Sequence, residues 1–379
     1  MTTIPAWLLA DAPIIGDETG FNERADVIVA ADGTDLNEFW NEVQDTIRIR
    51  NAQRNRLIDA LATRVTSPVT SVLVPSSVDF EEASEYGQPV GIRGGGTRVF
   101  RGYDFKFYDL AVRYTWMFIA EADRRQLEMH HNLALDADNK LLFNKVMRTL
   151  FNSLNLNGVT DQNEPVTVYK FYNADGEVPP PYATYTHAGT HNHYITSGGA
   201  TVTSANLDTL ALELGHHGYT LQNGYQLVLW VNTTEAAVIK TFKTSSGASY
   251  DYVPNPAMYG GKVWVPNNGQ YVGGPQGTLD GVIGTYGPWH IIEEPYIPSG
   301  YMVGLASGGP ENLQNPIGIR EHANAAYRGL KVIPGQRSDY PLLDSFYRRG
   351  FGTGIRQRGG GAVMQITASG SYTIPAAYA

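Results

Sequence analysis

Between Tyr103 and Asn157 the chain contains neither glycine nor proline. Elsewhere both are plentiful, 41 glycines and 21 prolines in 379 residues, so their exclusion here marks a long regular segment. Gly102 and Gly158 close it. Its first part, Asp104 to Tyr114, alternates and is rich in aromatics, which predicts a strand. Thr115 has the chemistry of an N-cap, and a helix is expected after it. Leu127, His131, Ala134, Leu135, Asp138, Leu142, Val146 and Leu150 recur at three- and four-residue steps. Phe143, Met147, Phe151 and Leu154 form a second row beside them. Two such rows predict a helix buried over a wide face. Unbroken through about 35 residues, it would reach roughly 50 Å. A kink or a change of helix, if present, is expected within Asn132–Asn139.

A chain of this length holds about two domains. Its 17 % charged residues, with abundant glycine, suit a fold rich in strands and loops rather than a coiled coil or a disordered tail. A net charge of −9 argues against general affinity for nucleic acid. The absence of cysteine removes disulfides, thiolate metal sites and cysteine catalysis together. No apolar run reaches the length of a membrane-spanning helix, and the N-terminus lacks the basic region of a secretory signal, so a soluble protein is expected.

Residues 1–35 read as an N-terminal arm. It is apolar at Trp7, Leu8, Leu9, Ile14 and Ile15 yet aperiodic, so it needs a covering surface, its own domain or a neighbouring subunit. Asp35 to Val65 has a helical period. Thr66 to Tyr114 reads as a two-stranded excursion with limbs at Val69–Val74 and Val99–Tyr114. Its polar tip sets Glu81, Glu82 and Glu85 against Arg93, Arg98 and Arg101. A ribbon this long is marginal alone and is expected to lie on something. Val166–Val178 is β-like. Ser204–Leu214 reads as a helix capped by Ser204, Gln226–Val231 as a buried strand and Thr234–Phe242 as a short helix. Short strands are expected over Asp251–Ser307, and strands again over Lys331–Pro375.

The histidines of Thr186-His-Ala-Gly-Thr-His-Asn-His-Tyr194 are the most enzyme-like feature. By spacing, His187, His191 and His193 can ligate zinc or iron. A cupin-type oxygenase would need a carboxylate soon afterwards, and residues 194–205 contain none, so a polar loop is the expected reading. The adjacent pairs His130-His131 and His216-His217 diverge on a helix and make poor chelates. Gly94-Gly-Gly-Thr-Arg98 lacks the lysine of a phosphate-binding loop, and Gly350-Phe-Gly-Thr-Gly354 lacks the last glycine of a dinucleotide fingerprint. Glu293-Glu294, beside Pro295, is weak ground for a catalytic pair. No catalytic residue and no cofactor is therefore assigned. Residues 319–360 are positive by five, which leaves the remainder negative by fourteen. Between copies of the chain these would be complementary surfaces. The candidate inter-subunit contacts are Trp7, Glu81, Glu82, Glu85, Arg93, Arg98, Arg348 and Arg349.

The order of parts resembles the major capsid proteins of tailed bacteriophages, the Hong Kong 97-type α+β fold. Ala134-Leu-Asp-Ala-Asp-Asn-Lys-Leu-Leu-Phe-Asn144, Thr190-His-Asn-His-Tyr-Ile-Thr-Ser-Gly198 and Asp344-Ser-Phe-Tyr-Arg-Arg-Gly-Phe-Gly-Thr-Gly-Ile-Arg-Gln-Arg-Gly359 are similar to capsid proteins of phages of actinobacteria. The resemblance implies an N-terminal arm (1–35), an N-terminal helix (36–65) and an extended β-loop (66–114). It further implies a spine helix (115–158), an axial domain (159–330) and strands returning to the peripheral domain (331–379). It implies self-assembly as pentamers and hexamers into an icosahedral shell around double-stranded DNA, in the host bacterial cytoplasm. Portal, decoration and separately encoded scaffolding proteins are the partners it suggests. Neither a stoichiometric metal nor a crosslink through Lys106 is expected. The alternatives are an encapsulin-like compartment holding protein cargo and a metal-dependent enzyme built on the 187–193 histidines.

Overall fold

In the computed structural model the glycine- and proline-free segment becomes a strand, Asp104–Thr115, a short helix, Trp116–Glu121, and a long helix, Arg124–Phe151. Thr115 is the N-cap of the short helix, its hydroxyl accepting from Phe118 N at 3.1 Å. The break lies at Ala122–Asp123, not within Asn132–Asn139. Asp123 and Gln126 cap the second helix reciprocally: Gln126 N donates to Asp123 Oδ1 at 3.0 Å and Asp123 N to Gln126 Oε1 at 3.3 Å. Asp32 adds an acceptor for Arg124 N at 2.8 Å, and this bond holds the Asp32 carboxyl below its ordinary range. From Arg124 the helix runs 28 residues, about 42 Å. All eight residues of its first row are buried, and so are Phe143, Met147 and Phe151, whereas Leu154 is exposed beyond the helix end.

The structure describes residues 29–53, 58, 61–75, 80, 82–83, 85–87, 96–159, 165–255, 263–265, 270–272, 281–334 and 342–379. These divide into two units. One comprises the described parts of Met1–Ala52, Tyr108–Asp138 and Leu330–Arg349. Its helix Leu36–Gln53 buries Leu36, Phe39, Val43 and Ile47, one side of a helical period, in a cluster with Tyr114, Ile119, Leu127, Leu135, Leu330 and Tyr347. Asn51 fixes the neighbouring strand end by giving Nδ2 to Leu330 O and accepting Leu330 N. The expected helix does not continue to Val65. Ala62–Val65 is a strand, paired in parallel with Ile317–Glu321, and a partner strand outweighs helical period for so short a piece.

The second unit comprises Gln53–Phe107, Asn139–Gly329 and Gly350–Ala379. Its largest sheet has seven strands, in the order Tyr194–Thr196, Gly361–Gln365, Tyr301–Ser307, Gln226–Val231, Trp289–Glu293, Val282–Tyr286 and Tyr252–Pro254. Gln226–Val231 lies in the middle, antiparallel to Tyr301–Ser307 and parallel to Trp289–Glu293. Such a position explains its unbroken apolar run. Helix Ser204–Gly215 packs Leu207, Leu210 and Leu214 on this sheet, and Trp289 Nε1 donates to Leu207 O at 3.0 Å. The cap of that helix is Thr203, one residue before the expected Ser204, in a capping box with Asn206. The short helix after the central strand spans Thr233–Ile239, capped by Asn232. In the expected 166–178 strand only Pro165–Val168 is extended in a ladder.

The excursion is two-stranded, Val69–Pro75 antiparallel to Gly96–Gly102. Its return limb stops at Gly102 instead of reaching Tyr114. There the backbone lies so close to Val166 that an added Cβ would overlap its side chain. Asp104–Thr115 pairs instead with Leu342–Ile355. Along that strand Gly350, Gly352 and Gly354 fall at every second position, on one face. A Cβ at Gly352 would meet Asp104 O at 2.5 Å, and one at Gly354 would meet Gly102 O at 2.7 Å. Gly352 and Gly354 thus serve a close crossing of backbones, and Gly350 leaves room for the Phe107 ring.

Candidate functional site

Of the contact residues expected from sequence, Trp7, Glu81 and Arg93 lie outside the described residues. Glu82, Glu85 and Arg98 are exposed in or beside the ribbon. So are three aromatic side chains there, Phe80, Tyr86 and Phe100. The root of the ribbon is anchored. Thr70 Oγ1 and Tyr103 OH are 2.9 Å apart, and Arg101, itself buried, donates through Nη1 to Glu177 Oε2 at 2.7 Å.

Glu177 belongs to a charge network around two buried arginines that sequence reading missed. Arg358 is fully buried. It donates from Nη1 to Glu177 Oε2 at 2.8 Å and to Asp175 Oδ1 at 3.1 Å, and from Nε to Lys170 O at 2.7 Å. Its Nη2 reaches Phe171 O and Asn173 Oδ1. Both guanidiniums approach the Tyr169 ring, Arg101 at 4.7 Å and Arg358 at 5.3 Å from its centre. Burial disfavours charge on Asp175 and Glu177, but the guanidinium contacts outweigh it and hold both carboxyls below their ordinary range.

This changes the meaning of the basic 319–360 stretch. Arg358 is internal. Arg320 is buried over the Phe105 ring, at 4.9 Å. Arg328 donates to the carbonyls of His322 and Ala323. Arg349 pairs with buried Asp138 at 2.5 Å. Arg348 stays partly exposed, 3.9 Å from the exposed Asp109. Charge counted along the chain therefore overstates the positive surface, and Arg349 is a poor candidate for an outward contact.

The histidines meet in a way that spacing did not reveal. The backbone at 191–193 is extended and tied to the preceding segment: Ala174 N donates to His191 O and His193 N to Tyr172 O. Alternate residues of an extended chain share a face, so His191 and His193 point the same way. His217, just past the Ser204–Gly215 helix, completes the group. The three Nε2 atoms are mutual neighbours, at 2.9 Å (His191–His193), 3.0 Å (His191–His217) and 2.9 Å (His193–His217). His187 stacks on His217, ring centres 4.5 Å apart, and offers a ring nitrogen within 4.8 Å of those of His191 and His217, at the edge of the triangle. Glu213 Oε2 lies 4.0 Å from His191 Nε2. Thus the missing carboxylate comes from the helix, outside the 194–205 window. Burial, with help from neighbouring imidazoles, pushes His191 down to about 4, His193 to about 3 and His217 to about 2, so all three rings are neutral at pH 7.

No protein-family description and no curated protein matches the chain. Among solved structures it is similar to one from Mycobacterium phage Patience, at 40 % identity over 97 % of this chain and 98 % of that one, with a TM-score of 0.70. It aligns more distantly with the mature capsid of bacteriophage PhiM1, at 9 % identity over 83 % of this chain and 88 % of that one, TM-score 0.47. The capsid of Cyanophage P-SCSP1u gives 11 % identity, 83 % and 89 % coverage and a TM-score of 0.45. These last two are too remote to bear on function. The likeness to the Patience structure covers nearly all of both chains, and it agrees with the order of elements described above and with the local resemblances at 134–144, 190–198 and 344–359. The chain belongs to the major capsid proteins of tailed bacteriophages, with the Hong Kong 97-type fold, and is most like those of phages of actinobacteria.

Proposed function

We propose that this chain is a non-catalytic shell subunit whose Val69–Gly102 ribbon lies across a neighbouring copy. The observation that carries this is the contrast within the ribbon. Its root is pinned by the Arg101–Glu177 pair and by packing on Val166, while Phe100 is exposed beside that root and Phe80 and Tyr86 are exposed in the segment between the two strands. Exposed aromatics close in sequence to Glu82, Glu85 and Arg98 suit a contact between copies. Pentamers and hexamers of such subunits close the shell around double-stranded DNA. Assembly takes place in the host cytoplasm, with a portal and with scaffolding or decoration proteins as partners. Glu82, Glu85, Arg98 and Arg348 remain the contact candidates among the described residues, with Trp7, Glu81 and Arg93 outside them.

Deleting Glu81–Arg98 tests the proposal. The expected product is a folded, soluble chain that forms no closed shells in electron micrographs. Shells of normal size and yield from the deletion variant would overturn it.

A further inference from the structure

The His191–His193–His217 triangle carries a proton problem. Each Nε2 faces the other two at 2.9–3.0 Å. A ring nitrogen there is either an N–H donor or a lone-pair acceptor. With three nitrogens and two kinds, at least two must be alike. Whatever the tautomers, two N–H groups or two lone pairs confront each other at hydrogen-bond distance.

One tautomer is fixed. His193 Nδ1 lies 2.6 Å from the carbonyl oxygen of Gly361, which can only accept, so Nδ1 carries the proton. His193 Nε2 then presents a lone pair to the centre of the triangle. An imidazole whose outer nitrogen donates to a backbone carbonyl is the usual arrangement of a metal ligand. The surroundings are shaped to the rings as well. Tyr172 stacks on His217 with ring centres 5.4 Å apart. Gly359 lies so close beneath His217 that a Cβ there would come within 2.8 Å of its Cγ.

We propose that His191, His193 and His217 bind one first-row divalent cation of the zinc type through their three Nε2 atoms. Zinc–imidazole bonds of about 2.0–2.1 Å place the nitrogens of a tetrahedral site roughly 3.3 Å apart. The observed spacing needs an opening of only a few tenths of an ångström. All three lone pairs then point at the cation and the like-facing pair is removed. The fourth position falls to a water, which Glu213 is placed to accept from. Such an ion joins the 187–193 segment to the turn after the Ser204–Gly215 helix and, through His193, to the strand beginning at Gly361. Its role is to fasten these pieces within one subunit.

The test uses the untagged full-length chain, purified without chelator, loaded with Zn²⁺ and dialysed. About one zinc per chain should be retained, and Co²⁺ in its place should give the visible absorption of a low-symmetry cobalt–imidazole site. Zn²⁺ should raise the Tm of metal-stripped wild type by several degrees. His217→Ala and His191→Ala should each lose both the retention and the Tm response, whereas His322→Asn, at a half-buried imidazole outside the cluster, should keep both. Background zinc and no cobalt band in folded wild-type protein would overturn the proposal without reference to any variant. So would full retention in both folded alanine variants.

Discussion

Arg349 Nη1 donates to Asp138 Oδ2 at 2.5 Å, and both side chains are largely withdrawn from water, 14 % and 6 % exposed. Removing one partner of such a pair strands the other charge, at about 3–5 kcal/mol. Arg349→Ala should therefore lower unfolding stability by that order in chemical denaturation. Arg348→Glu, at a partly exposed side chain, should cost much less, so it is the cleaner probe of assembly. If contacts between copies use Arg348, its reversal should reduce shell yield at low salt and leave the subunit Tm nearly unchanged. The salt range matters because exposed charges are screened over about 8 Å at physiological ionic strength.

Leu142 and Val146 tie the long helix into its core. Both are buried, Val146 completely. Leu142→Ala should cost roughly 2–5 kcal/mol, measured as a lower denaturation midpoint with an unchanged m-value. Leu133→Ala, at an exposed position on the same helix, should cost less than about 0.5 kcal/mol.

Lys170 gives stability a slope with pH. It is buried with Nζ 3.4 Å from Thr149 O, and burial, reinforced by the charge of Arg148, pushes it down to about 7. In the unfolded chain it stays protonated to its ordinary value of about 10.4. Between these values the unfolded state binds more protons, so stability rises with pH from about 7 to 10, by up to about 1.4 kcal/mol per unit from this group. Burial raises Tyr194, Tyr219 and Tyr372, which act in the opposite sense once unfolded tyrosines ionise near pH 10. Lys170→Met should flatten the rise between pH 7 and 9 in denaturant titrations.

Gly352 faces the backbone of Asp104. Gly352→Ala must move main chain rather than a side-chain tip, so a loss of about 1–3 kcal/mol is expected. Gly370→Ala, with open space around it, should fall within about 0.5 kcal/mol of wild type.

The buried rows of the long helix, the Thr115 cap and the central strand Gln226–Val231 were legible because each is written in local period or in one residue's chemistry. The helix break was legible too, in the Asp123–Gln126 capping box; the asparagines and aspartates of 132–139 mark no break, because the helix exposes Asn132, Asp136 and Asn139 and buries Asp138 against Arg349. Ala62–Val65 was not legible, since its strand partner is some 250 residues away in sequence. Nor were the destinations of Arg320, Arg349 and Arg358. Counting charge along a chain cannot distinguish a guanidinium in water from one enclosed by carboxylates. His217 was passed over because its neighbour His216 makes a poor chelating pair, and its true companions lie 24 and 26 residues earlier.

The close crossing at Gly352 and Gly354 has a consequence for heredity. Every single-base change in a glycine codon that alters the amino acid either adds a Cβ or ends the chain. At Gly352 and Gly354 that first atom already collides with the main chain passing overhead. Each single step at these two codons therefore costs stability unless the 102–107 backbone moves at the same time.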